Sequence, residues 1–399
     1  MNNVCYIAAA GAGKTQLIIN DSTKRYEGHA NSKIICIVTF TQHNQYKTIQ
    51  RVKALYSGII PKRIIVIGWY KFLMDFIIKP FKGDVIKELY HRHVGFVFNS
   101  KDRSIIKTDN GYIRKKCSTE EKYLINGNID SQNISEFAYK CILKNETVFA
   151  QRLEQIFDVI YFDEAQDFCG YDLDIISTII RSPTDCIIVA DPRQHTYSSN
   201  NNSKYKKYTG KPDLFIKEKV NTRTKTYIDI DYETLSKSHR CHPAICELAS
   251  KLYTEYPATT PNIETQDLRA LEFDKPQGVF LILENHVDEY RFEMKPLELY
   301  WEGCENYKID DDTKRMNMGE SKGDETNAVL IHPTKKMEAW LSKNEKLAEI
   351  TLSKFYVALT RARYCAGIIV NKRLSPNRFN IPYWKEENIP VQLEIPFSE

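Results

Sequence analysis

Short apolar runs alternate along the chain with longer, more polar stretches of helical period. The runs are rich in isoleucine and valine, which is typical of strands buried on both faces of a parallel sheet. Strands that alternate with helices predict a doubly wound α/β fold. The runs with this character are Val4–Ala8, Lys33–Phe40, Arg63–Gly68, Phe157–Phe162, Asp185–Asp191, Gly278–Leu283, Ala328–Ile331 and Ala366–Val370.

The spacing of these runs predicts two α/β domains, with a small helical subdomain inserted into the first. Over residues 82–149 the alternation weakens, and glycines are interspersed with mixed charges. We therefore expect the first domain to comprise residues 1–81 and 150–212, and the second to comprise residues 213–399. Inside the second domain, residues 286–316 are polar and aromatic without a clear period, which predicts a short irregular insertion.

The composition of the 399-residue chain suits a globular enzyme, with 42% hydrophobic and 27% charged residues. Because the net charge is only +4, any nucleic-acid site must be a local basic patch. The ten cysteines show no convincing metal-ligand spacing, and no apolar run approaches the length of a bilayer span. We therefore expect a cytoplasmic protein without a signal peptide or membrane contact.

The segment Ile7–Ile19, IAAAGAGKTQLII, has the form of a strand, a tight turn and a helix. Glycines allow a turn whose N–H groups point at one phosphate, and the helix N-terminus adds partial positive charge. Lys14 is expected to reach the outer phosphates of a nucleotide, and the Thr15 hydroxyl to ligate Mg²⁺. A glycine-rich turn before a core helix is the alternative, since Ala8 stands where the strict motif has glycine. The predicted nucleotide contacts are Ala10, Gly11, Ala12, Gly13, Lys14, Thr15 and Gln16.

Two adjacent carboxylates, Asp163 and Glu164, directly follow the apolar run Phe157–Phe162. Ligands of open α/β sheets bind at the carboxyl edge of the strands. One carboxylate is suited to hold Mg²⁺ and the other to orient or deprotonate an attacking water. The alternative is an acidic loop that caps the next helix.

A polar loop from Ser198 to Pro212 interleaves lysines with tyrosines. Tyrosine rings that stack on bases and lysines that contact the backbone are what a single-stranded nucleic acid requires. The candidates in this loop are Tyr205, Lys206 and Tyr208. A flexible linker is an equally good interpretation.

Read in order, these motifs resemble those of the UvrD/Rep-like superfamily 1 DNA helicases. The strings VALTRAR, DEAQD and ADPRQ are the most specific of the set. The stretches that carry the resemblance are AAAGAGKT (8–15), TFTQ (39–42), DEAQD (163–167), VADPRQHTY (189–197), SHRCHPAICELA (238–249), GESKGDE (319–325) and VALTRAR (357–363).

The resemblance implies two RecA-like, P-loop NTPase domains with one ATP and its Mg²⁺ in the cleft between them. In that family pattern, Asp163 and Thr15 hold Mg²⁺, Glu164 positions or activates the attacking water, and Gln194 senses the γ-phosphate. Arg240 and Arg361 correspond to arginine fingers.

Further positions in the same pattern contact the nucleoside or the nucleic acid. The expected nucleoside contacts are His239, Gly323 and Glu325. The expected contacts to a single strand are Thr39, Phe40, Thr41 and Tyr197.

The function that the resemblance implies is an ATP-dependent helicase or translocase on single-stranded DNA or a tailed duplex, moving 3′ to 5′ by family analogy. The segment between Tyr253 and Asn317 is too short for the family's large second-domain insertion, and His239 stands where a tyrosine is usual. The compact form suggests an alternative: a nucleotide-switched DNA-binding subunit that works with a partner nuclease or other protein in antiphage defence or repair. An RNA-directed member of the superfamily is a third hypothesis.

Overall fold

The structure is a computed structural model that describes residues 3–28, 32–98, 105–108, 111–114, 118–199, 204–222, 227–262, 264, 273–302 and 314–385. The chain divides into two compact units, Met1–Ser236 and Lys237–Glu399. Each unit contains its own parallel sheet.

The first unit alternates strands and helices as predicted, with short strands in its middle part. Its strands are β1 (Val4–Ile7), β2 (Ile34–Thr39), β3 (Ile64–Gly68), β4 (Phe96–Val97), β5 (Ile105–Thr108), β6 (Gly111–Arg114), β7 (Leu124–Ile125), β8 (Asn128–Asp130), β9 (Phe157–Phe162), β10 (Asp185–Ala190) and β11 (Asp229–Asp231). Its α-helices are α1 (Lys14–Gly28), α2 (Gln42–Leu55), α3 (Trp69–Phe72), α4 (Lys79–Val85), α5 (Thr119–Tyr123), α6 (Ile134–Lys144), α7 (Glu146–Ile156), α8 (Tyr171–Ile180) and α9 (Pro212–Phe215).

The main sheet of the first unit has six strands in the order β11-β1-β10-β9-β2-β3, and every pairing in it is parallel. Strand β10 therefore lies between β1, which leads into the phosphate-loop motif, and β9, which leads into the acidic motif. Ile37 and Val38 at the middle of β2 are completely buried, as the unbroken apolar runs require. Because all the strands run the same way, the loops that follow them meet at one edge of the sheet.

The first unit extends beyond the expected domain boundary at residue 213. Strand β11 pairs with β1, with Ile230 opposite Cys5, so residues up to Ser236 belong to this unit. The sequence gives little sign of β11, because Asp229 and Asp231 flank its one central apolar residue. A short edge strand needs only one apolar face and tolerates such polar neighbours.

The inserted segment is mixed in structure and not simply helical as expected. Strands β4, β8 and β7 form a small sheet, and β5 and β6 form an antiparallel hairpin. Helix α6 packs on α8 of the first unit. The completely buried Phe137 and Cys141 lie on α6, so the segment shares the core of the first unit.

Helix α3 continues through a π-helical turn, Leu73–Ile78, into α4. The sequence suggests that Pro80 helps to end this helix, but the helical path continues to Val85. Pro80 is tolerated because it lies in the first turn of α4, after the hydrogen bonds have changed register.

The second unit contains a separate parallel sheet of five strands in the order β14-β18-β17-β15-β16. Its strands are β12 (Lys237–Ser238), β13 (Thr260–Pro261), β14 (Gly278–Leu283), β15 (Leu297–Tyr300), β16 (Arg315–Asn317), β17 (Thr326–Ile331) and β18 (Ala362–Val370). Its helices of eight or more residues are α10 (Pro243–Ser250), α11 (Val287–Met294), α12 (Lys335–Lys343) and α13 (Glu349–Leu359).

The segment 286–316, expected to be irregular, contributes regular elements to this sheet. It supplies helix α11, strand β15 and the start of β16, while residues 303–313 lie outside the described part. Strand β15 is hard to recognise because it carries Glu298 at a fully buried position. Glu298 pairs with Arg291, seven residues earlier in the chain, and accepts from His332, 34 residues later.

The predicted α/β class with parallel-sheet domains is confirmed, since each of the two units has its own parallel sheet. Among the described residues, no helix combines the length and the apolar character that crossing a bilayer demands.

Candidate nucleotide site

The phosphate-loop motif begins where β1 ends and closes at the first residue of α1. Gly11 and Gly13 have positive φ angles of 73° and 85°, which glycine adopts without strain. Ala8 has no positive φ, and its N–H donates to the carbonyl of Ala190 at 2.7 Å. Ala8 therefore continues the pairing of β1 with β10, and this position of the loop does not require glycine.

The loop places Lys14 and Thr15 against the acidic pair that follows β9. The Lys14 Nζ lies 3.5 Å from Glu164 Oε1. The Thr15 hydroxyl donates to Asp163 Oδ2 at 3.2 Å. Residues separated by about 150 positions in sequence thus converge at the carboxyl edge of the main sheet.

Glu164 has a left-handed backbone conformation, with φ of 55°. A non-glycine residue in this region is strained and persists only where its surroundings fix it. Its backbone N–H donates to Asp163 Oδ1 at 2.9 Å, and Gln166 donates to its carboxylate. The strained turn directs the Asp163 carboxylate toward Thr15 and the Glu164 carboxylate toward Lys14.

The buried carboxyl of Asp163 has an unusual acidity. Burial, and then the neighbouring negative charge of Glu164, raises the pKa of Asp163 to about 6. A hydroxyl and a carboxylate are oxygen ligands of the kind that Mg²⁺ prefers, usually with phosphate oxygens and water completing the shell. Thr15 and Asp163 therefore fit a Mg²⁺ ion that arrives with a nucleotide.

The remaining predicted loop residues surround this pair. Ala10 and Ala12 are buried, and Gln16 donates from Nε2 to Asn20 Oδ1 at 2.8 Å within α1. Their small or locally bonded side chains leave the backbone N–H groups of the loop as its main chemical feature.

Gln194, the expected γ-phosphate sensor, lies in the turn after β10. It is buried, and its Nε2 donates to Asp191 Oδ2 at 2.7 Å. Asp191 also accepts a 2.9 Å ion-pair contact from Arg193, and its N–H donates to Gln166. The sequence motifs contain Asp191, Arg193 and Gln166, but spacing alone gave none of them a role.

The expected nucleic-acid contacts near β2 and β10 differ in exposure. Thr39 is completely buried, Phe40 packs edge-on against Phe168 at 6.2 Å, and the Thr41 hydroxyl caps α2. Tyr197 is 45% exposed. Of these side chains, Tyr197 and Thr41 reach the surface most fully.

The tyrosines of the polar loop are packed within the first unit. Tyr208 is buried, lies 5.5 Å from the ring of Phe215 and donates its hydroxyl to Glu218. The Tyr205 hydroxyl donates to Asp174 at 3.0 Å. The expectation that these two tyrosine rings form an open surface for stacking on bases is therefore not met. Lys206, in the same loop, is exposed.

In the second unit, Glu325 lies between two arginines. Arg240 Nε lies 3.0 Å from one carboxylate oxygen of Glu325, and Arg363 contacts the other. Burial opposes ionisation of Glu325, but hydrogen bonds and charges from Arg363 and Arg240 outweigh it and lower the pKa to about 2. Sequence reasoning gave Arg363 no role.

Arg361 is held by backbone carbonyls of the second unit. It is 1% exposed, and it donates to the carbonyls of Val357 at 3.1 Å and Asp324 at 2.9 Å. Gly323, in the adjacent turn, has a φ of 90°, while His239 is exposed. Arg361 therefore organises the turn that carries Gly323.

Residues 99–209 match the family model of the UvrD/REP helicase N-terminal domain. The matched segment contains Asp163, Glu164, Gln194 and Tyr197, so it covers the acidic motif and the sensor motif. The resemblance to UvrD/Rep-like helicases that the motifs predict is confirmed by this match.

Two solved structures of Arterivirus nonstructural protein 10, a helicase, are similar to the chain. One has 14% sequence identity and a TM-score of 0.41, and covers 94% of this chain and 61% of that chain. The other, a complex with DNA, has 13% identity and a TM-score of 0.43, and covers 94% of this chain and 63% of that chain. The chain thus spans less than two thirds of either helicase chain. No curated protein matches it.

Proposed function

We propose that the chain is an ATP hydrolase that couples hydrolysis to movement on single-stranded DNA. The observation that carries this proposal is the convergence of Lys14 and Thr15 with Glu164 and Asp163. A phosphate-binding turn, a site for Mg²⁺ and a second carboxylate are the parts that hydrolysis of a nucleoside triphosphate needs.

Each side chain has a separate task in this proposal. Lys14 binds the outer phosphates, and Thr15 and Asp163 hold Mg²⁺, which neutralises phosphate charge when bound. Glu164 orients or deprotonates the attacking water. Gln194 senses the terminal phosphate.

We propose that the second unit contributes positive charge to hydrolysis. Arg240 stabilises the charge that develops on the transferring phosphoryl group, and such cations contribute strongly to turnover. Arg361, expected from the motif to be a second such cation, is instead buried and donates to the carbonyls of Val357 and Asp324, so its role here is to hold the adjacent turn. Glu325 and Gly323 belong to the ribose side of the site, with His239 near the base.

Single-stranded DNA is the nucleic acid along which we propose that the chain moves. The UvrD/REP match supports this, and the exposed Tyr197, Thr41 and Lys206 are the proposed contacts. A tyrosine ring stacks on any base, and a lysine contacts the backbone without sequence preference. The 3′ to 5′ direction is proposed by analogy alone.

The test is steady-state ATP hydrolysis with no nucleic acid, with single-stranded DNA and with RNA of the same sequence. We expect DNA to stimulate hydrolysis and Lys14→Ala to abolish it. Hydrolysis that is indifferent to DNA would contradict the proposal, and preferential stimulation by RNA would favour an RNA-directed enzyme. A tailed duplex with either polarity of tail then tests unwinding and its direction.

A nucleotide-switched DNA-binding subunit remains the second candidate function. The short second unit favours it: only residues 251–314 separate α10 from β16, which is too short for the large second-domain insertion of the UvrD/Rep-like helicases. ATP-dependent DNA binding without unwinding by the chain alone is the result that this candidate predicts. Unwinding by the isolated chain would argue against any need for a partner.

A further inference from the structure

Arg193 forms a buried ion pair at the carboxyl edge of the first sheet. It lies in the turn Pro192–Gln194 after β10, and its side chain is only 4% exposed. Its Nε lies 2.9 Å from Asp191 Oδ1. Its Nη2 donates to the carbonyl of Ala8 at 2.6 Å. One guanidinium thus bridges the sensor turn and the first residue of the phosphate loop.

Asp191 connects Arg193 to other side chains of the site. Its Oδ2 accepts from Gln194 Nε2 at 2.7 Å, and its backbone N–H donates to Gln166 Oε1 at 3.0 Å. The amide of Gln166 in turn donates to Glu164. Together with the ion pair of Lys14 and Glu164, these contacts link the two ends of the phosphate loop through side chains of the acidic and sensor motifs.

Stability alone is a weak reason to keep such a pair. Burying two charges is costly, and apolar residues of similar size are often as stabilising. A planar guanidinium, however, fixes the directions of its donors, which an apolar pair or a lysine does not. The geometry of Arg193 therefore suits a residue that sets positions.

We propose that Arg193 is a positioning residue of the nucleotide site. By holding Asp191, it directs one N–H of the Gln194 amide to the carboxylate and so sets where the second N–H points. By holding the Ala8 carbonyl, it fixes the start of the phosphate loop relative to that amide. This inference rests on the proposed ATP hydrolysis and extends it to discrimination of the γ-phosphate.

The primary experiment compares wild type, Arg193→Met, Gln194→Ala and the double variant. Measured quantities are kcat and KM for ATP with single-stranded DNA. We expect Arg193→Met to lower kcat about 100-fold, the scale of a small misplacement of a reacting group. The KM should rise by only about three- to tenfold, because phosphate binding by Lys14 is retained.

The double variant separates positioning from general damage. If Arg193 acts through Gln194, Arg193→Met should lower kcat little further when Gln194 is already alanine. Independent, additive losses would overturn the proposal. Unchanged kcat and KM in Arg193→Met would also overturn it.

Two further variants control for folding. Arg25 forms an ion pair with Asp185 at the opposite end of β10, so Arg25→Met removes a similar pair away from the site; its kcat should match wild type. Arg193→Lys keeps the positive charge beside Asp191 but loses the planar guanidinium with its fixed donor directions. We expect Arg193→Lys to melt within a few degrees of wild type and still to lose most of the turnover. Wild-type turnover in Arg193→Lys would overturn the role of the planar guanidinium.

A binding measurement distinguishes this inference from the proposed function. The ratio of the Kd for ADP to the Kd for a non-hydrolysable ATP analogue should fall at least about threefold in Arg193→Met. If wild type binds the analogue but does not hydrolyse ATP, hydrolysis is refuted while this ratio still decides the role of Arg193. If wild type binds neither nucleotide, both proposals fail.

Discussion

The Lys14 ammonium lies 3.5 Å from the Glu164 carboxylate, and this contact joins the phosphate loop to the acidic motif. Both side chains are close to 90% shielded from solvent. A cation and a carboxylate at this spacing offset each other's charge. Phosphates that bind Lys14 would draw the ammonium away from Glu164 and leave the carboxylate to act on water.

Substitution of Glu164 by glutamine should separate binding from hydrolysis. The amide keeps the size of the side chain but does not accept a proton, so turnover should fall by about 10² to 10⁴. ATP affinity should be equal to or higher than that of wild type, because a negative charge near the phosphates is removed. Single-turnover hydrolysis and equilibrium binding of ATP measure the two effects.

The matched control is Lys14→Ala, which should lose both affinity and turnover. A Glu164→Gln variant that hydrolyses ATP at the wild-type rate would exclude Glu164 as the base. The water would then have to be oriented by another group of the site.

The raised pKa of Asp163 predicts a dependence on pH. Since the folded-state pKa is about 6, against 3.8 for an unshifted aspartate, protons compete with Mg²⁺ as the pH falls through 6. The Mg²⁺ concentration needed for half-maximal hydrolysis should therefore rise below pH 6. An unchanged Mg²⁺ requirement between pH 7.5 and 5.5 would contradict the assignment.

The same pKa predicts the sign of a stability effect. A carboxyl whose folded pKa is raised destabilises the fold at pH values above 6, and this cost disappears as the pH falls toward 4. Asp163→Asn should therefore melt above wild type at pH 8 in the absence of Mg²⁺. The difference should shrink at pH 5; thermal unfolding at both pH values measures it.

Arg240 and Arg361 should respond differently to substitution by alanine. Arg361→Ala leaves buried carbonyls of Val357 and Asp324 without a donor, which should lower the stability of the second unit by about 2–3 kcal/mol. Arg240 is partly exposed, so Arg240→Ala should melt near wild type and lose at least about 10²-fold in turnover.

Parallel melting and hydrolysis curves for the two variants test this contrast. Arg363→Ala is the comparison, since it removes the other partner of Glu325 without touching a residue assigned to the phosphates. Equal losses of turnover in Arg240→Ala and Arg363→Ala would mean that the Glu325 pair, and not Arg240 itself, is what matters.

A stability prediction concerns the buried Glu298 of the second unit. It accepts from Arg291 at 2.7 Å, from Tyr300 at 2.7 Å and from His332 at 3.0 Å. Glu298→Ala should lower the free energy of unfolding by about 3 kcal/mol, because charged and polar partners are left buried. Asp288→Ala removes the solvent-exposed partner of Arg291 and should change little.

Glu298 also makes the stability of the second unit depend on pH in the acidic range. Burial opposes its ionisation, but His332, Arg291 and Tyr300 lower its pKa to about 2. Its contribution to stability is present above the ordinary value of 4.5 and is lost as the pH falls through 2. Urea unfolding between pH 7 and pH 2 should show wild type and Glu298→Ala converging at the acidic end.

The fold class was predictable because buried parallel strands have unbroken apolar runs. Strands β11 and β15 are among those that escaped prediction, for the opposite reason. Polar Asp229 and Asp231 flank the centre of β11, and the charged Glu298 occupies a buried position in β15. His332, one of the partners of Glu298, lies 34 residues away in sequence, so no local pattern indicates that this charge is buried.

The residues of the candidate site also differ in whether a local sequence motif predicts them. Local motifs identified Lys14, Thr15, Asp163 and Glu164, since the phosphate turn and the strand-end carboxylates each have their own signature. The packing of Tyr208 on Phe215 was not predictable, because a lysine- and tyrosine-rich loop has the same composition whether its rings are packed or exposed.

The most direct test of ATP hydrolysis coupled to DNA is phosphate release from ATP in the presence of Mg²⁺ by the purified chain, with and without single-stranded DNA. We expect hydrolysis that DNA stimulates in wild type, that is absent in Lys14→Ala and that falls by at least about 10²-fold in Glu164→Gln. Hydrolysis that persists in both variants, or none in wild type with DNA present, would contradict it.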